Sequence, residues 1–142
     1  MVDELANAKI IYAYFEPLIG SNGAVAAVVN AFCESSLSPS AVGDHHEAYG
    51  LFQLHPDRIA PLKTATGIDI EALPDVVSQC KAIWHEMQTS EKHALSGIKA
   101  AATPADATQE WCQLYERPAS KTEPARRASL AAGWMTKLGL TA

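Results

Sequence analysis

Apolar residues recur at helical spacing along most of this chain, and the pattern fails in one region. From Asp3 to Phe15, the residues Leu5, Ala8, Ile11/Tyr12 and Phe15 fall on one helical face, and Pro17 is expected to end that helix. The next run, "GAVAAVVNAFCES", is apolar nearly all round, with Ser21 or Asn22 as its cap. A helix with no polar face belongs at the centre of a core. Periodicity then disappears between Leu37 and His55, where Pro39, Gly43, Asp44 and Gly50 mark turns. Within that region "AYGLFQLH" predicts one short strand and with it a small hairpin.

Helical spacing resumes beyond a polar linker containing Gly67, in the stripe Leu73, Val76/Val77, Cys80, Ile83/Trp84 and Met87. Ser90 is placed to cap a short helix running to Ala101. Thr103 as N-cap, Pro104 at the first helical position and Asp106 in the first turn predict another helix that stops before Pro118. A last helix is expected from Thr122, with Pro124 in its first turn and Leu130, Trp134 and Leu138 on one side. The fold class is therefore mainly α (α+β): a helical domain with one small β-hairpin or irregular loop beside the second helix. Functional groups concentrate on loops held by a rigid scaffold, so that irregular insertion is where chemistry is expected.

The 142 residues suit one domain spanning 1–142, and 48% apolar residues make it globular. A net charge of −5 with scattered Lys and Arg leaves nothing to neutralise phosphates, so nucleic acid is not an expected partner. No apolar run approaches the ~20 residues of a membrane span, so membrane insertion is not expected. The acidic start "MVDELANAK" does not read as a secretory signal, and synthesis in a cytoplasm is the expectation. Three widely spaced cysteines, Cys33, Cys80 and Cys112, fit neither a disulfide framework nor a CxxC metal site and read as reduced core thiols.

Candidate chemistry gathers where the apolar helix meets the irregular region, in "CESSLSPSAVGDHHEAYGLFQLH". Glu34 ends the helix one turn after Asn30, so the two share a face. The negative helix end and the apolar residues before Glu34 both disfavour ionisation, and a carboxyl with a raised pKa suits a general acid in glycosidic cleavage. Set against this is a helix-end Glu that simply reaches solvent. Asp44 and Glu47 are candidates for a second carboxylate; Asp44 after Gly43 equally suits an Asx turn, and Glu47 a solvated surface. The order His45-His46-Glu47 is not the HExxH pattern of zinc proteases, and no metal or organic cofactor is expected. Cys33 in an apolar helix lacks the electropositive surroundings of a reactive thiolate.

Together these residues resemble a known pattern. "VVNAFCESSLSPSAVGDHHEAYGLFQLHPDR" is similar to the catalytic segment of phage tail lysozyme-like domains, within the lysozyme and lytic transglycosylase superfamily. The matching features are Asn30, Glu34-Ser35, Pro39, Ala41, Gly43-Asp44, Gly50-Leu51-Phe52-Gln53, and His55 with Asp57-Arg58. "ATPADAT" and "YERPAS" are also family-like, and the close match covers about a quarter of the chain. The resemblance implies a lysozyme-like fold and Glu34 as the acid that protonates the glycosidic oxygen. Asp44 ranks ahead of Glu47 as the assisting carboxylate, because Glu47 falls where the family tolerates many residues. Gln53 is expected to bond sugar hydroxyl or N-acetyl groups, with His55 nearby and Tyr115 lining the cleft or packing in the core. Glu116 and Arg117 are expected to form a structural ion pair. Tyr49 replaces the small Ser or Thr that related transglycosylases often have before Gly-Leu-Phe-Gln, and either stacks on sugar or narrows the cleft.

The implied activity is that of a muramidase on the MurNAc–GlcNAc β-1,4 linkage, from a phage or prophage enzyme. It would be a monomer acting on peptidoglycan glycan strands, as an endolysin released through a holin pore or as part of a virion. The alternatives are a lytic transglycosylase giving 1,6-anhydro ends, a non-catalytic peptidoglycan-binding module, and a structural virion or effector component.

Overall fold

The computed structural model describes residues 2–140. Its first helix, α1 (Glu4–Ser35), runs through both of the first two expected segments. Asp3 caps it, its Oδ1 accepting from the Ala6 N–H at 3.0 Å. Pro17 does not end the helix; the break falls at Gly20, whose φ of 85° and ψ of 170° kink the axis. Just beyond the kink, Ile19 folds over Gly23 so closely that a Cβ there would lie 2.7 Å from Ile19 Cδ1. From Gly23 to Ala31 every residue is buried, as the all-round apolar pattern requires.

A hairpin follows, formed by β1 (Val42–Gly43) and β2 (Ala48–Tyr49), antiparallel with Val42 opposite Tyr49. The chain then turns again, bridging Tyr49 to Leu54, and drives Leu51, Phe52 and Leu54 into the core. Helix α2 (Pro56–Thr66) occupies what reads in the sequence as a polar linker. Only Ile59 and Leu62 are buried on it and Pro61 sits inside it, so it shows almost no apolar stripe. Pro56 in its first turn and Gly67 at φ 76° nevertheless set its ends.

Helix α3 (Val76–Gln88) carries the expected stripe, though Leu73 stands outside it at φ 55° and Val77 faces outward. Helix α4 (Lys92–Ala100) starts after Glu91, without a side-chain cap from Ser90. Helix α5 (Pro104–Glu110) begins as expected, with Thr103 Oγ1 accepting from the Asp106 N–H at 3.1 Å. It leads into a π-helical turn, Trp111–Glu116, closed by Arg117 N–H donating to Cys112 O at 2.8 Å. The single last helix of the sequence reading is two, α6 (Glu123–Ala128) and α7 (Ala131–Lys137), separated at Ser129 and Leu130.

Thus the architecture is mainly α with one small antiparallel hairpin. Ala8, Ile11 and Phe15 of α1 join Phe52, Ile83, Ile98, Trp111 and Trp134 in one apolar cluster. Trp111 is its hub: Phe15 meets it edge-on at 5.6 Å between ring centroids, Phe52 stacks at 5.5 Å, and Tyr115 lies at 5.6 Å. Of the cysteines, Cys80 and Cys112 are buried and Cys33 is half-buried; burial pushes the thiols of Cys80 and Cys112 up to about 12. Among the described residues no helix is long and apolar enough to cross a membrane.

Candidate active site

The irregular segment from Ser36 to His55 is fastened to the helices by buried polar groups. After α1, Ser36 and Leu37 both take positive φ, which turns the chain sharply away from the helix end. Leu37 is fully buried, and its carbonyl accepts from Asn7 Nδ2 at 2.9 Å. Ser35 Oγ donates to Leu51 O at 2.8 Å. From α3, the buried Gln79 side chain accepts from Leu51 N–H at 2.8 Å and donates to Pro39 O at 2.8 Å and Pro74 O at 2.6 Å. Gly50 passes against that amide at φ 81°, and a Cβ there would lie 2.5 Å from Gln79 Oε1. The Gln79 side chain therefore ties the loop to the segment before α3.

The loop, α1, α2 and the segment after α5 enclose a cleft of about 380 Å³ lined by Glu34, Gly43, Asp44, Gln53, His55, Arg58, Glu116 and Pro118. Four of the seven residues singled out in the sequence thus line one cleft: Glu34, Asp44, Gln53 and His55. Asp44 starts the hairpin turn, and Asp44, His45 and His46 all have positive φ. The Asp44 carboxylate meets His55 Nε2 at 3.1 Å at the exposed mouth of the cleft. Gln53 spends its amide on the loop itself, donating to Gly50 O at 2.9 Å and Ala41 O at 3.2 Å. Its Oε1 packs where a Cβ on Gly43 would sit, 2.6 Å away. Gln53 therefore shapes the cleft wall, with its amide nitrogen committed to the loop.

Three residues stand elsewhere. Glu47 is exposed at the far side of the hairpin turn and does not line the cleft. Tyr49 ties the turn together by donating to His46 O at 2.6 Å, with its ring packed against the core. The expectation that Tyr115 lines the cleft is corrected: it is fully buried, and its hydroxyl donates to Glu86 Oε1 at 2.5 Å. The physical reason is spacing: Trp111 and Tyr115 stand four residues apart, on one face, and that face packs into the core. Arg58 closes the same network, gripping Glu86 with two nitrogens at 2.7 and 3.0 Å, donating to Tyr115 O at 3.1 Å, and lying 4.5 Å over the Tyr115 ring.

The surroundings of Glu34 are not the wholly apolar ones expected of it. Arg127, buried on α6, reaches Glu34 Oε2 at 2.7 Å. The same guanidinium donates to Glu123 Oε2 at 2.7 Å and to Asn30 Oδ1 at 2.9 Å. Asn30 is fully buried and itself donates to Ala26 O at 2.9 Å. The shared helical face of Asn30 and Glu34 thus serves to seat one arginine.

Glu116 was expected to pair with Arg117, and it does not. Arg117 instead bonds Glu91 at 2.5 Å, while Glu116 turns into the cleft and its Oε2 accepts from Trp111 Nε1–H at 3.0 Å. Burial, and next to it the negative charge of Glu34, push the Glu116 carboxyl up to about 8, against the lowering effects of Trp111, Arg58 and Arg127. Glu116 in the cleft and Arg127, the partner of Glu34, are the site residues that spacing alone did not reveal. The only sequence signal for Glu116 was its place in "YERPAS", and for Arg127 its i,i+4 relation to Glu123.

The arrangement holds two glutamates in one cleft, one ion-paired and one whose buried carboxyl is pushed up, with an aspartate at the mouth. Such a set is suited to proton transfer at a polar substrate bond. Among the described residues no group of three or more His, Cys, Asp or Glu side chains is placed to hold a metal ion. In comparison with known proteins, a family model described as phage tail lysozyme matches residues 6–138. No curated protein sequence matches the chain.

Proposed function

Because the chain belongs to the phage tail lysozyme family, with the lysozyme-like, peptidoglycan-degrading function that membership carries, we propose that it is a muramidase. Its bond is the β-1,4 linkage between N-acetylmuramic acid and N-acetylglucosamine in peptidoglycan glycan strands. The observation that carries this reading is Glu34 in a polar cleft between a rigid helix end and a hairpin, with Asp44 across the opening. A glycan strand is long and flexible, and an open cleft walled by carboxylates and amides suits it better than an enclosed pocket.

Glu34 protonates the departing glycosidic oxygen, and the positive charge that grows on the sugar ring is opposed by a carboxylate on the other side. Asp44 fits that second role better than Glu47, because Asp44 lines the cleft and the exposed Glu47 does not. Asp44→Asn is expected to lower turnover by ten-fold or more, and Glu47→Gln to leave it within two-fold. Equal losses from the two variants would remove Asp44 from this role. Arg127 holds the Glu34 carboxyl in one orientation and stabilises the anion left after proton donation.

Hydrolysis leaves reducing ends, whereas attack by the muramic acid's own 6-hydroxyl leaves 1,6-anhydro ends, as in a lytic transglycosylase. Tyr49 is not among the residues that line the cleft, and its hydroxyl is used in the hairpin turn. The proposed setting is phage lysis or entry, as an endolysin delivered through a holin pore or as a virion part, acting on the wall as a monomer. Turbidity loss of purified sacculi tests the reading. Lysis by the wild type and none by Glu34→Gln is the expected result; sacculus binding without lysis would favour a non-catalytic wall-binding module.

A further inference from the structure

Glu34 poses a chemical difficulty for its own role. A general acid needs a proton to give, yet Glu34 is clamped by Arg127 at 2.7 Å, and Arg127 is its sole hydrogen-bond partner among the described residues. The groups facing the same space are Arg58 of α2, Asp44 and His55 at the mouth, and Glu116 at the end of the π turn, with Glu123 behind Arg127. Of these only Glu116 is both sheltered and without a cationic side chain bonded to it. Its Oε2 is fixed by the Trp111 indole, and Trp111 is immobilised between Phe15 and Phe52. Glu116 is the last residue of the π turn, and its carboxyl lies in the cleft.

We infer that Glu116 is a positioning residue for the reaction, the proton store from which Glu34 is charged when substrate occupies the cleft. The inference rests on the muramidase reading above. Glu116 passes its proton to the Glu34 carboxylate, and Glu34 passes one to the glycosidic oxygen as the C1–O bond breaks. The nucleophile that closes on C1, water or the 6-hydroxyl, loses a proton that returns to Glu116, so the cycle balances. Arg127 keeps Glu34 from leaving the ion-paired position between turnovers. The upward displacement of Glu116 to about 8 is consistent with a store that stays filled at neutral pH. Two like charges in one cleft cannot both form at little cost, so the pair titrates as a unit.

Glu116→Gln tests this, because the amide oxygen can still accept from Trp111 while holding no transferable acid proton. At pH 7 the turnover of purified peptidoglycan is expected to fall by about 100-fold, the lower end of what acid–base catalysis contributes. The loss should shrink steadily toward pH 5, where bulk protons reach Glu34 directly, so the alkaline limb moves down by about one unit or more. A merely structural glutamate gives a loss that is uniform across pH, and that result would overturn the inference. Glu116→Asp should recover part of the neutral-pH rate.

A readout independent of activity is the carboxyl carbon NMR titration of ¹³C-glutamate-labelled protein. Glu116 should titrate near pH 8 in the wild type and at lower pH in Glu34→Gln. A Glu116 midpoint in the ordinary carboxylate range, unmoved by Glu34→Gln, would overturn the inference while leaving Glu34 as the acid. Full activity of Glu34→Gln would instead remove the muramidase reading on which the inference stands.

Discussion

Arg127→Met removes the one guanidinium that joins α6 to α1 beneath the cleft. The wild-type side chain is only 7% exposed and makes three charge-assisted bonds, to Glu34, Glu123 and Asn30, at 2.7, 2.7 and 2.9 Å. Breaking a buried ion pair from one side costs roughly 3–5 kcal/mol, chiefly because the remaining charge is stranded. Here the stranded carboxylates keep about a fifth of their surface, Glu34 at 20% and Glu123 at 19%, so water recovers part of that loss. Glu123 also retains Arg126, which donates to both of its oxygens at 2.8 Å. Asn30 Oδ1, in contrast, is fully buried and loses its donor, a cost of about 1–3 kcal/mol. These considerations put the net effect near 3 kcal/mol, the lower end of the buried-pair range.

Urea unfolding followed by the fluorescence of the buried Trp111 and Trp134 measures it. With a slope of about 2 kcal/mol per molar urea, the midpoint should drop by about 1.5 M. Arg127→Lys keeps the charge but not the three-way fork, and should recover less than half of the drop. A midpoint shift below about 0.5 M for Arg127→Met, at unchanged slope, would refute the buried hub.

Two further perturbations probe the scaffold. Gly50→Ala forces a Cβ onto a φ of 81° and against Gln79 Oε1, and should cost about 3 kcal/mol in the same assay; a loss below 1 kcal/mol would mean the loop shifts freely. Glu123 is held down to about 2 by its bonds to Arg126 and then Arg127. A depressed carboxylate contributes stability that is complete above its unfolded value of about 4.5 and is lost as pH falls through about 2. Glu123→Gln should therefore lower the melting temperature most above pH 4.5, with the two proteins converging as pH approaches 2. A gap that does not narrow would contradict the assignment.

The helices with continuous apolar stripes could be read from the chain, because burial of one face dictates both their length and their phase. The core segment of α1 and the stripe of α3 are of this kind, whereas the start of α5 was legible from its capping residues Thr103 and Pro104. Helix α2 was invisible for the opposite reason: it contributes only Ile59 and Leu62 to the core, and its Pro61 reads as a breaker. The run of α1 across Pro17, and the split between α6 and α7, depend on packing that no local pattern encodes. At the site, Glu34, Asp44, Gln53 and His55 were accessible because they cluster within a short stretch of chain. Arg127 and Glu116 approach from 93 and 82 positions away, and only the tertiary fold brings them to Glu34. For Tyr115 the sequence left cleft and core both open, because an aromatic side chain suits either, and only its packing beside Trp111 and Glu86 decides for the core.

Cleavage of the glycan strand by Glu34 is the central proposal. Mass spectrometry of the soluble products from purified sacculi tests this cleavage directly, comparing the wild type with Glu34→Gln at equal concentration. The wild type is expected to release disaccharide-peptides cut between N-acetylmuramic acid and N-acetylglucosamine, with reducing and 1,6-anhydro ends told apart by one water, and Glu34→Gln to release none. Fragments severed only within the peptide stems, or an undiminished yield from Glu34→Gln, would contradict it.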